Sequence, residues 1–300
     1  MVEVKLFITK SVDENATLYF ESAKKSRKKL AGAKRTLEEF KVKQENTSKE
    51  EVVGVSKIKK LSSEKKYWYE KLKWFISSDG YLVVGARDAT TNEILVKKHT
   101  SKADIVYHTD MAGSPFVVVK NSKEDVERLL SEVPSYDEIP ERTIQEAASF
   151  TAIHSRAWKM GLGSLKVFWV TPEQVTKEAN TGEFMSKGSF MIRGKTNYVD
   201  PEMVFACGII KEELALDGKR FFLSGPREAI ETYCDHVIGI EQGSEKSSLV
   251  AKTVRSFFKE REEVDVSLDE IIASLPSGGC QVIKVRKRKE DLKPKKKKSR

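Results

Sequence analysis

The sequence predicts an α+β protein with a helical hairpin in front, a mixed body and a charged tail. Three observations carry this prediction. Apolar residues recur at alternating steps of four and three over residues 12–40, the heptad repeat of a coiled coil. From Trp74 onward, short apolar runs alternate with turn residues, as in antiparallel strands. After residue 285 the apolar pattern ends and lysine dominates.

The predicted coiled-coil hairpin comprises residues 1–75. Its first helix begins at a capping box formed by Ser11 and Glu14, and its apolar stripe is rich in alanine, which lets helices approach closely. The breakers Asn46 and Gly54 predict a connecting loop. A second heptad register follows, with members Ile58, Leu61, Lys65, Trp68, Leu72 and Phe75. Two amphipathic helices joined by a short loop form an antiparallel hairpin.

Residues 76–200 are predicted to form an antiparallel sheet with a helix packed on one face. The expected elements are strands at 81–85, 93–97, 105–108 and 115–120, a helix over 142–159, and strands at 165–170 and within 182–197. Glycine is favoured where φ is positive, and Asp favours turns through its side-chain hydrogen bonds. The structural turn positions are therefore Asp79, Gly80, Asp88, Asp110, Gly113, Gly182, Gly188 and Gly194.

Residues 201–285 are predicted to form a smaller α/β unit. The expected elements are a strand at 221–224, helices at 228–235, 246–260 and 268–275, and a last strand at 281–285. Residues 286–300 are predicted to be a disordered basic tail, because so few apolar side chains cannot bury a core.

Basic charge is concentrated at the two ends of the chain, although the whole carries a net charge of +9. Residues 284–300 hold eleven Lys or Arg against two Asp or Glu, and residues 1–75 hold nineteen against eleven. The body between them, residues 76–283, holds twenty-four against thirty-two. This arrangement favours a polyanionic partner held by the basic extensions.

The cysteines and the hydropathy exclude several classes of protein. Cys207, Cys234 and Cys280 are isolated, without a CxxC pair or a nearby His, which argues against a zinc site and a disulfide framework. The apolar runs fall short of a membrane span, and the N-terminus lacks a signal-peptide pattern. We therefore expect a cytoplasmic protein with no cofactor, no metal site and no membrane attachment.

Residues 182–197 interleave glycines, cations and large apolar side chains, and they are the most informative stretch of the sequence. Glycine permits close backbone approach to a ligand, while Arg and Lys donate hydrogen bonds to phosphate. The segment predicts an anion-facing sheet edge, and an ordinary hairpin with exposed cations is the alternative. The candidate RNA-binding residues of the body are Arg87, His108, Lys120, Lys187, Arg193, Lys195 and Asn197.

A metal-dependent enzyme that processes or modifies RNA is a second hypothesis, and it would use His108, Asp110 and Arg87. His108 and Asp110 alternate on a predicted strand and so face the same side. The region offers no nucleophile pair and no second metal position. A turn network, in which Asp110 accepts from backbone N–H groups and pairs with His108, explains these residues better. We therefore assign no catalytic residue.

Ordered motifs between Trp68 and Asn197 resemble the NFACT family of ribosome-associated quality-control factors. The segments that carry the resemblance are residues 68–80, 84–89, 108–115 and 181–197. They are similar to the C-terminal part of the family. The resemblance implies that residues 12–75 belong to a coiled coil and that residues 67–199 form the NFACT-R domain, an RNA-binding module.

The resemblance also implies partners, namely the large ribosomal subunit with a stalled nascent chain, ribosomal RNA and transfer RNA. Family members open with a long domain that carries the transfer-RNA-engaging Asp-Arg pair, whereas this sequence begins at the coil. A split gene, a truncation and a standalone factor are the alternatives. A third hypothesis is therefore a scaffold whose coiled coil docks a separate chain with the NFACT N-terminal domain.

Overall fold

The computed structural model describes residues 6–50, 59–61, 67–124, 126–132, 138–163, 165–178 and 185–283, with the backbone alone at 33, 35–50, 59 and 60. The chain divides into two compact units, Met1–Lys57 and Ile58–Arg300. None of the helices in the described ranges has a stretch long and apolar enough to cross a membrane.

The first unit is built on one long helix, α1 (Val12–Glu50). Its predicted capping box is confirmed, because Ser11 N–H donates to Glu14 Oε2 at 2.8 Å and Glu14 N–H donates to Ser11 Oγ at 3.2 Å. The helix continues through Asn46, so the predicted start of the loop is wrong. Single residues of modest helix propensity cost only tenths of a kcal/mol, about 0.7 at most, and do not end a helix by themselves.

The predicted second helix of the hairpin is wrong in the described part of residues 58–75. β1 (Lys59–Lys60) pairs in parallel with β13 (Val264–Asp265), Trp68–Lys71 form a 3₁₀ turn, and β2 (Lys73–Ile76) follows. The aromatic residues here pack into the core of the second unit, where Tyr69 is fully buried. Tertiary packing therefore overrides a weak helical pattern, and this stretch belongs to the second unit instead of the coil.

A six-stranded antiparallel sheet forms the first half of the second unit. Its strands are β2, β3 (Leu82–Gly85), β4 (Ile105–Thr109), β5 (Val117–Lys120), β6 (Val167–Val170) and β9 (Asn197–Val199), in the order β2-β3-β5-β4-β6-β9. Two helices, α3 (Glu141–Ile153) and α4 (Arg156–Lys159), follow β5 in the chain. α3 packs its small and aromatic residues against one face of the sheet, so the predicted sheet with a packed helix is confirmed.

The predicted strand at 93–97 is wrong, because these residues lie in helix α2 (Ala89–Lys98). Asp88 caps this helix: its Oδ1 accepts from Thr91 N–H at 2.8 Å, and Thr91 Oγ1 accepts from Asp88 N–H at 2.9 Å. Such a reciprocal cap satisfies backbone donors that a helix otherwise leaves open. The spacing of Asp88 and Thr91 was the sequence signal for a helix start.

The second half of the unit is a four-stranded antiparallel sheet with helices. Its elements are β10 (Phe205–Ile210), β11 (Phe222–Pro226), α5 (Arg227–Tyr233), β12 (Cys234–Glu245), α6 (Ser247–Glu262), β13, α7 (Leu268–Ser274) and β14 (Cys280–Ile283). The strand order is β11-β10-β12-β14. The sequence analysis predicts neither β10 nor β12. β10 is buried along its whole length, and it therefore lacks the alternation of apolar and polar residues that marks a half-exposed strand.

The two halves share one core, so residues 201–283 are not separate from the sheet before them. Gly225 on β11 lies so close to Phe75 on β2 that a Cβ there would be 2.9 Å from the Phe75 Cβ. Ile230 on α5 also lies in the same hydrophobic cluster as Val84 on β3. The predicted tail, residues 286–300, lies outside the described residues.

Glu146 makes the stability of this core depend on pH. The side chain is 3% exposed on α3 and accepts from Ser78 N–H at 2.8 Å. Burial raises the pKa of the carboxyl to about 7, against the hydrogen bonds from Ser78 that lower it. Because the folded pKa lies above the unfolded one, stability is greatest below the unfolded pKa and falls as pH rises through the folded pKa.

Glu146→Gln is therefore expected to remove this loss and to raise the free energy of unfolding at pH 8 by about 2–3 kcal/mol. Urea unfolding at pH 5 and pH 8 measures the effect. Glu141→Gln, at the exposed start of the same helix, is the control and should keep the slope of the wild type. A Glu146→Gln protein with an unchanged pH dependence would contradict the assignment.

Candidate functional site

A small β-ribbon lies against the start of α2. The ribbon pairs β7 (Val175–Thr176) with β8 (Met191–Ile192). Gly188 N–H donates to Glu93 Oε1 at 3.0 Å, and the Asn92 side-chain amide donates to Gly188 O at 3.3 Å. Gly188 has φ +81°, and a Cβ there would lie 2.5 Å from Ala89 Cα. Only glycine fits this close approach without strain, which explains one of the predicted turn glycines.

Lys177 and Glu93 hold the ribbon on the helix, and sequence reasoning missed both. Lys177 Nζ lies 2.8 Å from Glu93 Oε1 and 4.6 Å from the centroid of the Phe190 ring. Phe190 in turn packs edge-on against Phe116, with centroids 5.2 Å apart. The bond from Lys177, followed by that from Gly188 N–H, lowers the pKa of Glu93 to about 2. The carboxylate therefore stays ionised and keeps its contacts over the physiological range.

The far end of the ribbon is fixed by Gln174. Its side-chain amide donates to Arg193 O and to Lys195 O, both at 2.8 Å, and Arg193 N–H donates back to Gln174 O at 2.9 Å. Gly194 between them has φ +85°, as expected for a turn glycine. The backbone is thus held while the side chains of Arg193 and Lys195 are exposed.

Four of the predicted RNA-binding residues are exposed cations on the ribbon and the adjoining helix start: Arg87, Lys187, Arg193 and Lys195. Arg87 directly precedes the cap of α2, and its Nη1 donates to Lys71 O at 3.4 Å. Lys187 precedes Gly188, which touches Ala89, so the ribbon places Lys187 beside the segment that carries Arg87. Arg193 Nη2 donates to Glu178 O, a carbonyl, at 3.1 Å. We call these four residues the cationic ribbon surface.

Lys120 does not belong to this surface, and its side chain serves the core instead of the predicted contact with RNA. The residue is 7% exposed; its ammonium forms an ion pair with Asp104 and donates to His99 O at 2.9 Å. Asp104 is itself 1% exposed. A buried carboxylate requires a paired cation, and Lys120 supplies it.

His108 is partly buried, with both ring nitrogens turned to the backbone. Nδ1 lies 2.7 Å from Thr109 O and Nε2 lies 3.1 Å from Ser114 O. Burial lowers the pKa of the imidazole, and these two carbonyls together with Asp110 act in the opposite direction. Both ring nitrogens therefore face carbonyls of the protein, and RNA contact through His108 is left to the exposed part of the ring.

The turn after β4 is organised by Thr109 instead of Asp110. Thr109 Oγ1 accepts from Met111 N–H at 3.2 Å and bonds to Ser114 Oγ at 2.5 Å. Asp110 is exposed and accepts from the Tyr198 hydroxyl at 3.2 Å. Gly113 has φ +88°, a backbone conformation that favours glycine. Among the described residues, no group of three His, Cys, Asp or Glu could hold a metal ion.

The remaining predicted site residues that the structure describes make hydrogen bonds within the protein. Asp79 accepts from Arg142 Nη2 and from Thr143 Oγ1, both at 2.8 Å, and Gly80 N–H closes the predicted turn on Ser77 O at 2.8 Å. The Asn197 side chain, on the edge strand β9, donates to the Trp169 carbonyl at 3.4 Å and is half-buried. Gly182 lies outside the described residues.

The sequence of this region matches a known family. Residues 71–194 match the family described as the NFACT protein RNA binding domain. This part of the chain is an NFACT RNA-binding domain. The matched range contains Arg87, Lys187 and Arg193 of the cationic ribbon surface, whereas Lys195 lies one residue beyond it.

Three curated proteins show how far the similarity to NFACT proteins extends. The archaeal Rqc2 homolog aRqcH of Methanocaldococcus jannaschii is 35% identical over 227 residues, which are 75% of this chain and 31% of that protein. The human ribosome quality control complex subunit NEMF is 38% identical over 191 residues, 62% of this chain and 16% of that protein. The ribosome quality control complex subunit 2 of Schizosaccharomyces pombe is 38% identical over 151 residues, which are 50% of this chain and 14% of that protein. The chain thus spans less than a third of these relatives.

A solved structure, the C-terminal part of the fibronectin/fibrinogen-binding protein from Streptococcus suis, resembles the fold weakly. It superposes with a TM-score of 0.34 at 18% identity, covering 64% of this chain and 77% of that one. A likeness of this degree carries no argument about function.

Proposed function

We propose that this chain binds RNA on the ribosome, as part of a ribosome-associated quality-control factor in the cytoplasm. The match to the NFACT RNA-binding domain and the names of the similar curated proteins support the class. The observation that carries the proposal is the cationic ribbon surface, where Arg87, Lys187, Arg193 and Lys195 are exposed and hydrogen bonds at Gly188 and Gln174 hold the ribbon backbone. Cations on a backbone that is already fixed bind a phosphate chain with little further loss of backbone freedom.

The proposed partner is the large ribosomal subunit carrying a stalled nascent chain and transfer RNA. The proposed contact is to RNA backbone, because Arg and Lys side chains without an accompanying set of base-reading groups recognise charge and shape. Binding of this kind weakens steeply as salt rises, since each phosphate contact releases condensed counterions.

Ribosome pelleting at graded salt tests the proposal. The variant with Arg87, Lys187, Arg193 and Lys195 all changed to Gln is expected to shift from the pellet to the supernatant at a salt concentration where the wild type still pellets. A charge-matched control changes Lys246, Lys252, Lys259 and Arg261, exposed at the start of α6 or along it, to Gln. If wild type and ribbon variant pellet alike while RNA binding is intact, the ribbon is not the ribosomal contact.

A second candidate function is the docking of another chain through α1. This helix exposes apolar side chains of the heptad stripe in its described part, with Val12 83%, Tyr19 45% and Leu30 58% exposed. Exposed apolar residues at coiled-coil spacing favour a helical partner, and we propose a chain that carries the NFACT N-terminal domain. Leu30→Glu should abolish co-elution with that domain in size-exclusion chromatography, and unchanged co-elution would contradict the docking.

The alternative of an RNA-processing enzyme receives no support from the arrangement of its three residues. His108 directs both ring nitrogens to carbonyls, Asp110 accepts from Tyr198, and Arg87 donates to Lys71 O. RNA incubated with the protein and a divalent metal is expected to remain chemically unchanged.

A further inference from the structure

A cleft of about 960 Å³ opens in the second unit, and none of the four residues of the cationic ribbon surface lines it. Its lining includes Tyr67, from the segment that leads into β2, and Trp74, from β2 itself. Phe221, just before β11, and Asp269, in the first turn of α7, also line it. Clefts of this size accommodate ligands of several tens of atoms, and they need few polar groups to orient them.

A row of aromatic side chains runs along the cleft. The ring centroids of Tyr67 and Tyr69 are 5.7 Å apart, those of Tyr69 and Trp74 are 5.3 Å apart, and those of Trp74 and Phe221 are 5.9 Å apart. Tyr69 is buried behind the wall, whereas Tyr67, Trp74 and Phe221 are partly exposed and line the cleft. Partly exposed rings in a row provide surfaces on which other planar groups stack.

Two cations lie beside this row. The Arg128 guanidinium lies 5.8 Å from the centre of the Tyr67 ring, and the exposed side chain reaches the cleft. Lys73 Nζ donates to Leu275 O at 2.6 Å and lies 2.9 Å from His154 Nδ1. Burial lowers the pKa of this amine to about 7, and an approaching anion would favour its charged form.

His154 is a further polar residue at the cleft. The residue lines the cleft and is 9% exposed, and its Nε2 is buried without a hydrogen-bond partner among the described residues. Because Nδ1 faces the Lys73 ammonium, Nε2 carries the proton of the neutral ring. A buried N–H donor without an acceptor is costly, at about 1–3 kcal/mol.

We propose that this cleft binds unpaired nucleotides of an RNA strand, with bases stacked on Tyr67, Trp74 and Phe221. The proposal deepens the proposed RNA-binding function: the ribbon holds the backbone, and the cleft takes splayed bases. Stacking on aromatic side chains is how proteins commonly hold single-stranded RNA.

The cleft is lined by charges of both signs: the cations Lys73, Arg128, Lys219 and Arg220, and the carboxylates Glu70, Asp217, Asp269 and Glu270. The cations meet the phosphates of the strand. The carboxylates accept from base amino groups or ribose 2′-hydroxyls. The cleft should therefore prefer RNA to DNA and single strands to duplexes.

The first test compares a labelled ten-nucleotide single-stranded RNA with a duplex of the same sequence, using the full chain. Arg128→Gln and Tyr67→Leu are each expected to weaken single-strand binding by about tenfold or less while leaving duplex binding unchanged. Lys252→Gln, an exposed cation on α6, is the matched control. Equal effects of Arg128→Gln and Lys252→Gln on the single strand would overturn the proposal.

The second test needs no substitution and separates the cleft from the ribbon. A single strand that contains 4-thiouridine is cross-linked by ultraviolet light, and the modified peptides are identified by mass spectrometry. Cross-links at Tyr67, Trp74 or Phe221 support the cleft, and cross-links confined to residues 185–197 overturn it while leaving RNA binding by the ribbon intact. Quenching of tryptophan fluorescence by uridine 5′-monophosphate, lost in Trp74→Phe, would support the cleft even if ribosome binding failed.

Discussion

Lys120→Met is expected to lower the free energy of unfolding by about 3–5 kcal/mol, because it leaves the carboxylate of Asp104 buried without its cation. Asp104 also accepts from Ser101 N–H at 2.7 Å and from Asn121 N–H at 2.9 Å. Two backbone donors satisfy part of its hydrogen bonding but do not neutralise its charge. Urea unfolding at pH 7 measures the loss.

The same variant tests whether Lys120 contributes to RNA binding. At a temperature and denaturant concentration where Lys120→Met remains folded, its affinity for RNA should equal that of the wild type. Lys123→Met removes an exposed cation three residues along and is the control for the charge itself. A Lys120→Met protein that is fully stable but binds RNA poorly would reverse the assignment.

Gly188→Ala is expected to detach the β-ribbon from α2 and to weaken RNA binding without unfolding the core. The new Cβ would lie 2.5 Å from Ala89 Cα and 2.7 Å from Ala89 O, and the residue has φ +81°, so both the backbone conformation and the steric clash oppose it. The ribbon must move, and its hydrogen bond to Glu93 and the salt bridge of Lys177 move with it. The cationic surface then no longer has its fixed geometry.

Hydrogen exchange measures this detachment directly. Amide protection in residues 185–195 of Gly188→Ala should fall, while protection in β3, β4 and β5 stays that of the wild type. Gly163→Ala is the matched control, because a Cβ at Gly163 meets nothing within 4 Å. Unchanged protection of the ribbon in Gly188→Ala would show that the close approach to Ala89 is not required.

The fold class followed from the sequence because most of the elements have strong local signals. α1, α3, α6 and α7 carry clear helical patterns, and the turns at Gly80 and Gly113 mark strand ends. The errors share a cause: a local apolar pattern does not by itself decide between a helix and a strand. At 93–97 a short apolar run predicted a strand although Asp88 and Thr91 indicated a helix start, and at 58–75 aromatic residues at heptad spacing serve the sheet core.

The candidate site was predictable in its chemistry but not in its partners. Arg193 and Lys195 were identified because glycines surround them, whereas Lys177 and Glu93 carry no local pattern. Their ion pair joins positions eighty-four residues apart in the chain, and only the folded sheet brings them together. The burial of Lys120 was missed for the same reason, since its partner Asp104 lies sixteen residues away and gives no signal of burial in the sequence.

The dependence of RNA affinity on salt tests the central claim, that the cationic ribbon surface binds an RNA backbone. The measurement is the slope of log K against log salt concentration for a short RNA duplex, with the wild type, the variant Arg87→Gln/Lys187→Gln/Arg193→Gln/Lys195→Gln, and the charge-matched α6 control. The slope should become shallower by about one for each phosphate that a variant no longer neutralises. We therefore expect a change of roughly three to four in the ribbon variant. The control should keep the slope of the wild type. A ribbon variant with the slope and affinity of the wild type would contradict the claim.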